Sequence, residues 1–342
     1  MRVSFLILSI IIHSILSTSF VKTGNEGQFY PVDSVEYQPW ELVLDVAWSP
    51  DGKWLAVSSG NYVRLYAMPG FESVWDFEIG ALTHSVAFDP DGEYLAAGSR
   101  DGSIRVWRVS DFNQPEGENH PPNRIIKAHR KGVNQLVFDP QGKSLASGGN
   151  DAVARIWEIS AAEETRMMIG GTLTVAAIDF HPDGEILAVS NGNVIRMRDI
   201  ESEGIVGSFR SENPLFCLQF DKDGGALAAG DLENQILLWN TDEAYRTGVE
   251  KYPQPVILAG HNGRVNSFKS IIWDIKFSPT GKLLASGGGD GNIFLWDLEK
   301  KQALTSIQAH DLGVTSVEFD PEGQYLVSGG LDASVRLWRL EK

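Results

Sequence analysis

Apolar and polar positions follow one pattern that recurs seven times along the chain. Each copy begins with a short apolar stretch that ends in an aromatic residue, and a polar segment such as Asp-Pro-Asp-Gly follows. A second apolar stretch leads into a glycine-rich turn, and a third alternates apolar and polar residues, ending in most copies at a tryptophan. The aromatic residues that end the first stretches are Trp48, Phe88, Phe138, Phe180, Phe220, Phe277 and Phe319.

This pattern predicts short antiparallel strands joined by tight turns. Proline at the second position of the Asp-Pro-Asp-Gly segment presets φ for a turn. A weaker apolar segment before the next copy, such as Ile125-Ile126, predicts a fourth strand. The copies recur about every 45 residues, which lies in the range of propeller blades. The sequence therefore predicts an all-β fold, a seven-bladed β-propeller with four antiparallel strands per blade, whose closure protects the strand edges.

The two ends of the chain indicate how the ring closes. The chain stops at Lys342, just after the third strand of the seventh copy, so that blade lacks a fourth strand. The segment from Asp33 to Tyr37 lies about as far before Trp48 as Ile126 lies before Phe138. We therefore predict that the N-terminal strand closes the last blade and that the propeller covers residues 32–342.

The repeated segments resemble the WD-repeat (β-transducin-like) propeller family. Gly260-His261 and Trp296-Asp297 match the two dipeptides that mark this family, and the resemblance covers nearly all of residues 32–342. Copies one and four depart most, because Tyr66 and Arg198 stand where tryptophan is expected. Those two blades are predicted to be the less regular ones.

Three copies carry a serine, a histidine, an aspartate and a tryptophan at matching offsets. A Ser-His-Asp set suggests a hydrolase, but a nucleophile is not needed three times and no strained G-x-S-x-G turn is present. The resemblance implies instead a buried hydrogen-bond chain, here called a tetrad. Its predicted members are His129, Ser147, Asp151 and Trp157; His261, Ser286, Asp290 and Trp296; and His310, Ser328, Asp332 and Trp338. Copies two and five carry Ala97 and Ala229 in place of the serine, and their chains are expected to be incomplete.

The resemblance also implies a binding face, which carries the loops into the first strands and the turns between second and third strands. Residue by residue, the family's contact positions fall on Leu42, Leu44, His84, Arg100, Asn134, Asn150, Phe216, Leu232, Trp273 and Leu331. The apolar ones belong to blades five, six, seven and one. We expect them to bind an apolar anchor of a protein or peptide, with a carboxylate or amide near Arg100. The alternative is that these side chains fill the central channel. The insertion 262–271 extends the loop into blade six on this face.

No catalytic, metal or cofactor site is predicted. A single cysteine, Cys217, excludes an intramolecular disulfide and a cysteine-based zinc cluster, and no histidine pair has zinc-motif spacing. The segment Asp221-Lys222-Asp223-Gly224 lacks the further ligands of a calcium loop. The predicted function is a non-catalytic protein-interaction scaffold. A propeller enzyme with a metal or cofactor in its channel, or a carbohydrate-binding propeller that uses Trp273, are the alternatives.

Length and charge narrow the class of protein. The chain has 342 residues, which by length would suggest about two domains. The repeat instead predicts one domain, expected to be monomeric. Lys and Arg number 29 against 45 Asp and Glu, and the net charge of −16 disfavours nucleic acid and anionic lipid surfaces as partners.

The N-terminus has the pattern of a secretory signal. Met1-Arg2 is basic, Val3 to Ile12 is almost wholly apolar, and Ser17 and Ser19 supply small residues for cleavage. We predict a signal peptide over residues 1–19, a polar tether over 20–31, and export to a secreted, periplasmic or cell-surface location without a stable membrane span. The alternatives are an uncleaved anchor, or a misassigned start on a cytoplasmic protein.

Overall fold

A computed structural model describes residues 28–113, 121–159, 163–169, 173–247, 252–263 and 267–341. Within these ranges, 28 strands form seven four-stranded antiparallel sheets arranged as the blades of a propeller. The predicted fold is confirmed. The predicted signal peptide (1–19) and residues 20–27 of the predicted tether lie outside the described residues.

The inner two strands of each blade come from the first two apolar stretches of each copy. The innermost strands of blades one to seven are β2 (Val43–Trp48), β6 (Thr83–Phe88), β10 (Val133–Phe138), β14 (Val175–Phe180), β18 (Leu215–Phe220), β22 (Ile272–Phe277) and β26 (Val314–Phe319). The second strands are β3 (Trp54–Ser59), β7 (Tyr94–Ser99), β11 (Ser144–Gly149), β15 (Ile186–Asn191), β19 (Ala226–Asp231), β23 (Leu283–Gly288) and β27 (Tyr325–Gly330).

The outer two strands complete each blade. The third strands are β4 (Tyr62–Ala67), β8 (Ser103–Arg108), β12 (Val153–Glu158), β16 (Val194–Asp199), β20 (Gln235–Asn240), β24 (Asn292–Asp297) and β28 (Ser334–Glu341). The fourth strands are β5 (Glu72–Glu78), β9 (Arg124–Lys127), β13 (Glu163–Ile169), β17 (Ile205–Arg210), β21 (Val256–Ala259), β25 (Gln302–Gln308) and, for blade seven, β1 (Gln28–Glu36). The described helices are α1 (Thr241–Thr247) and two short 3-10 helices, Val109–Asn113 and Phe268–Ser270.

The ring closes as predicted, because β1 is the outer strand of the last blade. It pairs antiparallel with β28 from Gln28 opposite Glu341 to Glu36 opposite Ser334, with a register shift between Pro31 and Asp33. The strand therefore includes residues 28–31, which the sequence assigned to the tether. The physical reason is that β28 runs on to Glu341 and offers these residues backbone partners.

Blades one and four are as regular as the others, contrary to expectation. Each forms a complete four-stranded sheet. In blade one Tyr66 takes the tryptophan position, and its hydroxyl lies 2.6 Å from the hydroxyl of Tyr37 in the segment after β1. In blade four Arg198 pairs with Leu187 in an unbroken register between β15 and β16. Backbone pairing therefore keeps these sheets intact without the indole.

Glycines in the second strands explain part of the glycine-rich composition. A Cβ added at Gly98 in blade two would lie 2.6 Å from Val133 of blade three. Since that distance is shorter than real carbon contacts, only glycine allows these two blades to approach so closely. The same contact recurs between Gly148 and Val175, Gly230 and Ile272, Gly287 and Val314, and Gly329 and Val43.

Polar side chains of the innermost strands join each blade to the next. In every blade one such side chain accepts a hydrogen bond from a backbone N–H of the following blade's innermost strand. The seven acceptor–donor pairs are Asp45–Val86, Ser85–Leu136, Gln135–Ile178, Asp179–Phe220, Gln219–Phe277, Asp274–Val317 and Ser316–Val46. These bonds satisfy innermost-strand amides and link neighbouring blades around the whole ring.

Candidate functional site

The structure places each predicted tetrad in one hydrogen-bonded chain. In blade seven His310 Nδ1 lies 2.8 Å from Asp332 Oδ1, and His310 Nε2 lies 2.8 Å from Ser328 Oγ. Trp338 Nε1 donates to the same serine oxygen at 2.9 Å. Blades three and six repeat this geometry, with His–Ser distances of 2.8 Å and Trp–Ser distances of 2.9 Å.

In blade seven the electrostatics fit a neutral imidazole beside a carboxylate. Burial lowers the pKa of His310, although Asp332 opposes this shift. Burial by itself would raise the pKa of Asp290, but the hydrogen bond from His261 lowers it to about 2. A neutral histidine that donates from Nδ1 accepts at Nε2, so the serine hydroxyl donates to it and accepts from the indole.

The burial of the tetrad serines argues against their use as catalytic nucleophiles. The hydroxyl-bearing residues Ser147, Ser286 and Ser328 are each 0% exposed. A nucleophile must reach a substrate, and these hydroxyls lie inside the blades with both hydrogen-bonding directions occupied. The tetrads therefore act as buried polar networks that fix the outer strands to the loops before the innermost strands.

In the two blades that keep the tryptophan but lack a complete tetrad, the indole N–H groups differ in their acceptors. In blade five Trp239 Nε1 donates to the backbone oxygen of Pro253 at 3.2 Å. In blade two Trp107 Nε1 is buried and has no acceptor among the described residues. The cause is Ala97, which pairs with Arg105 at the position where Ser147 pairs with Arg155.

Replacing Ala97 by Ser is expected to raise the free energy of unfolding by about 1 kcal/mol, because the hydroxyl would accept the buried N–H of Trp107. Urea denaturation of the variant and the wild type measures this difference. The matched control is Ala229→Ser in blade five, where Trp239 already has an acceptor and the gain should be smaller. Equal effects of the two substitutions would show that the unpaired indole carries no cost.

The ten predicted contact residues occupy the strand starts and turns of one face. All are half-buried apart from Arg100, which is exposed. Strand direction explains this shared position, because in an antiparallel blade the loop into the first strand and the turn between second and third strands lie at the same end. The structure therefore gathers residues from distant parts of the chain on one surface.

Three of the apolar residues lie close together at blades five, six and seven. The rings of Phe216 and Trp273 meet edge to face, with centroids 5.7 Å apart. A Cβ added at Gly313 would lie 3.2 Å from Leu331 Cδ1 and 3.6 Å from Trp273 Nε1, so both side chains flank this glycine. The indole nitrogen of Trp273 is enclosed but has no hydrogen-bond acceptor among the described residues.

Sequence reasoning did not single out the exposed apolar side chains in the loops of the same face. Trp40, Phe268 and Leu312 lie in the loops that lead into blades one, six and seven, and they are 74%, 48% and 45% exposed. Leu173, in the loop into blade four, is 58% exposed. Loop residues do not recur at a fixed distance from the strands, so comparison of the repeated copies does not identify them. We call the combined set the apolar surface: Trp40, Leu42, Leu44, Phe216, Leu232, Phe268, Trp273, Leu312 and Leu331.

The described residues of the insertion, 262–263 and 267–271, are tied to blades five and six. Asn234 of blade five donates from Nδ2 to the backbone oxygen of Gly263 at 2.9 Å, and its N–H donates to Ser270 at 2.7 Å. A Cβ on Gly289 would collide with the backbone oxygen of Phe268 at 1.9 Å. Phe268 is thus held by backbone contacts beside blade six, with its ring exposed.

The polar residues of blades two and three divide into two groups. Asn134 Nδ2 donates to Asn150 Oδ1 at 3.2 Å and to the backbone oxygen of Val175 at 2.9 Å, so this amide already connects blades three and four. Burial and the charge of Arg100 lower the pKa of His84, which keeps its imidazole neutral. Arg100 is therefore the cation of this group that remains open to a partner.

In the part of the chain that the structure describes, no group of three or more His, Cys, Asp and Glu side chains is placed to hold a metal ion. Cys217 is a buried free thiol, as its position in the first strand of blade five predicts. Among the described helices, none has the length and apolar character needed to span a membrane.

Comparison with known proteins gives relatives that share parts of the chain. A chicken (Gallus gallus) serine-threonine kinase receptor-associated protein is 26% identical over 234 residues, which is 65% of this chain and 59% of that protein. The Arabidopsis thaliana WD repeat-containing protein VIP3 is 28% identical over 155 residues, 44% of this chain and 48% of its own. A guanine nucleotide-binding protein subunit beta of Schizosaccharomyces pombe is 25% identical over 45% of this chain and 46% of its own. The chain thus spans less than two thirds of the length of these relatives.

A family model covers more than half of the chain. The model of the WD domain, G-beta repeat, matches residues 36–67, 80–108, 121–158, 254–297 and 301–339. The matched segments include all three tetrad tryptophans and the closing blade. Blade four and most of blade five fall outside the matched segments. The chain therefore belongs to the WD domain, G-beta repeat family.

Proposed function

We propose that this protein is a non-catalytic interaction scaffold that binds a protein or peptide segment on its apolar surface. The observation that carries the proposal is the concentration of large apolar side chains on blades five, six, seven and one. Exposed aromatic and leucine side chains in one patch are typical of interaction sites. The names of the relatives, a receptor-associated protein and a subunit of a guanine nucleotide-binding protein, describe proteins that act with other proteins.

Two polar features suggest how a partner segment would be oriented. Trp273 Nε1 is an enclosed donor without an acceptor, and a backbone oxygen of the partner would supply one. Arg100 stands exposed on blade two, across the face from blades five and six, and favours a carboxylate or amide. The partner we propose therefore combines an apolar anchor with an acceptor group placed toward blade two.

Replacing Phe216 and Trp273 together by Ala is expected to weaken partner binding by about 30-fold or more, because losing the aromatic anchor at an interface centre costs about 2 kcal/mol or more. Affinity capture from the native source with quantitative mass spectrometry identifies the partners, and titration measures their affinity. Thermal unfolding of the variant checks that the fold is retained.

The matched control is Ile125→Ala, which removes a side chain 60% exposed on the outer strand of blade two, outside the apolar surface. Its partners should be retained at wild-type affinity. A photoreactive residue at Leu312 should crosslink to the same partners, whereas one at Ile125 should not. Undiminished binding by the folded double variant would reject the apolar surface as the site.

We also propose that the protein works outside the cytoplasm. The support is the basic start, the apolar run from Val3 to Ile12 and the small residues at Ser17 and Ser19. Mass spectrometry of the N-terminal peptide from the native protein should find a chain that begins after Ser19. A mature chain that retains residues 1–19 would argue for an anchored or cytoplasmic protein.

A further inference from the structure

Ser316, on the innermost strand of blade seven, lies between two carboxyl groups from the neighbouring blades. Its Oγ is 3.0 Å from Asp45 Oδ1 of blade one and 3.2 Å from Asp274 Oδ2 of blade six. A hydroxyl carries one hydrogen and can donate to only one of these oxygens. The second oxygen–oxygen contact is attractive only if the carboxyl group itself supplies a proton.

The other hydrogen bonds indicate which carboxyl group holds that proton. Asp45 accepts from the N–H groups of Val46 at 3.0 Å and Val86 at 2.9 Å, and from the hydroxyl of Ser85. Asp274 accepts from the N–H groups of Ile275 at 2.9 Å and Val317 at 3.0 Å. Because Asp45 has the larger set of donors, it is the better stabilised anion.

We propose that Asp274 is protonated in the folded protein at mildly acidic to neutral pH and donates to Ser316, whose hydroxyl donates to Asp45. This proton relay links blades six, seven and one, the three blades next to the point where β1 closes the ring. Loss of the proton would place two carboxylates on opposite sides of a single hydroxyl. The contact between the last and first blades would then be weakened by charge repulsion.

The charged groups around the relay agree with this assignment. Burial raises the pKa of Asp274 to about 7; the charge of Lys276 opposes the shift, and Asp45 and Glu318 reinforce it. Burial also raises the pKa of Asp45. Lys276 Nζ forms a salt bridge with Glu318 Oε2 at 2.6 Å. Another titratable side chain near Asp274 is the buried thiol of Cys217 on β18, and burial raises its pKa.

The sign of the pH dependence follows from these shifts. The folded-state pKa of Asp274 lies above the value of about 4 that an unfolded chain would have. The stability supplied by the proton is therefore complete below pH 4 and is lost as the pH rises to 7, after which it stays constant. Across that window the ratio of folded to unfolded protein falls by up to about tenfold per pH unit from this group.

Urea unfolding of the wild type and Asp274→Asn at a series of pH values from 5 to 8 tests the relay. Asparagine keeps a donor toward Ser316 but does not titrate, and it loses the bond from Val317. The difference between the two proteins is therefore compared across pH rather than at one pH. The folded-to-unfolded ratio of the wild type, divided by that of Asp274→Asn, should fall by up to about tenfold per pH unit between pH 5 and 7. A quotient independent of pH would overturn the proposal.

Asp179→Asn is the matched control. Asp179 is an innermost-strand aspartate of blade four whose pKa burial raises to about 7, and it accepts from Phe220 N–H without a second carboxyl group nearby in its bonds. Asp179→Asn should remove the part of the pH-dependent stability that comes from Asp179. The change that Asp274→Asn makes to the pH dependence should be the same with and without Asp179→Asn. A loss of the Asp274 effect in the Asp179→Asn background would show that the pH dependence belongs to a general charge effect.

A measurement on the wild type keeps the test independent of variant folding. Carbon-13 NMR of aspartate carboxyl groups follows the protonation of Asp274 directly. Its signal is assigned by its absence from Asp274→Asn or, if that variant does not fold, by through-bond correlation to the Ile275 amide. A titration midpoint near 7 is expected. A midpoint near 4, the ordinary value for aspartate, would overturn the relay.

Discussion

Deleting residues 28–36 is expected to lower the free energy of unfolding by on the order of 5 kcal/mol, a large share of the stability of a folded domain. The deletion removes β1 and leaves the outer edge of β28 unpaired. Each lost backbone hydrogen bond contributes about 1 kcal/mol, and Val335 and Leu337, which are 0% and 3% exposed, would lose their cover. Thermal and urea unfolding measure the loss.

A pair of substitutions separates ring closure from chain length. Val35 pairs with Val335 and packs against the cluster that joins blades seven and one, whereas Val32 lies at the register shift and is 51% exposed. Val35→Lys should cost about 2 kcal/mol, because it places a charge against an apolar cluster. Val32→Lys should cost less than about 0.5 kcal/mol. Equal losses would mean that the inward contact of β1 does not support closure.

The fold could be predicted because each copy repeats the same pattern of apolar stretches and turns. An ambiguous strand in one copy is recognised from its counterparts, as the strand β16 with Arg198 in place of tryptophan shows. The closing strand followed from the missing fourth strand of blade seven. Its start was placed four residues late, because the partners of residues 28–31 lie at the other end of the chain and leave no local signal.

The tetrads could be predicted for a similar reason, since their members stand at matching offsets. Their substitutes could not. The acceptor for Trp239 is a backbone oxygen of Pro253, which no side-chain pattern reveals. The partner of Tyr66 is Tyr37, supplied by the segment before blade one. Such replacements depend on which loop segment packs against the indole or phenol. A backbone oxygen is present in every residue, so the sequence does not mark the one that serves as acceptor.

The bonds between innermost strands were also invisible in the sequence. Aspartate, serine and glutamine perform the same task at these positions, and the side chains come from two different places along the strand. Geometry unites them, because each acceptor must reach the next blade's N–H. The same limit applies to the apolar surface, where strand positions such as Trp273 and the insertion 262–271 were identified and loop positions such as Leu312 were not.

Replacing His310 by Ala is expected to lower the free energy of unfolding by about 3 kcal/mol, because it leaves buried polar groups unpaired and opens a cavity. The histidine is 0% exposed and lies within hydrogen-bond distance of Asp332, Ser328 and Ser334. Urea denaturation at pH 7.5, where histidine is neutral in both states, measures the loss.

The control for this substitution is His181→Ala in blade four. His181 also pairs with an aspartate, Asp183, at 2.8 Å, but the Asp183 side chain is 40% exposed and water can replace the lost hydrogen bond, so this substitution should cost less than His310→Ala. The double variant His310→Ala, Ser328→Ala should lose less free energy of unfolding than the sum of the losses in the two single variants. The reason is that Ser328 has already lost its hydrogen-bond acceptor in His310→Ala. Strict additivity, or equal effects of the two histidines, would contradict a cooperative tetrad and leave indole packing as the source of blade stability.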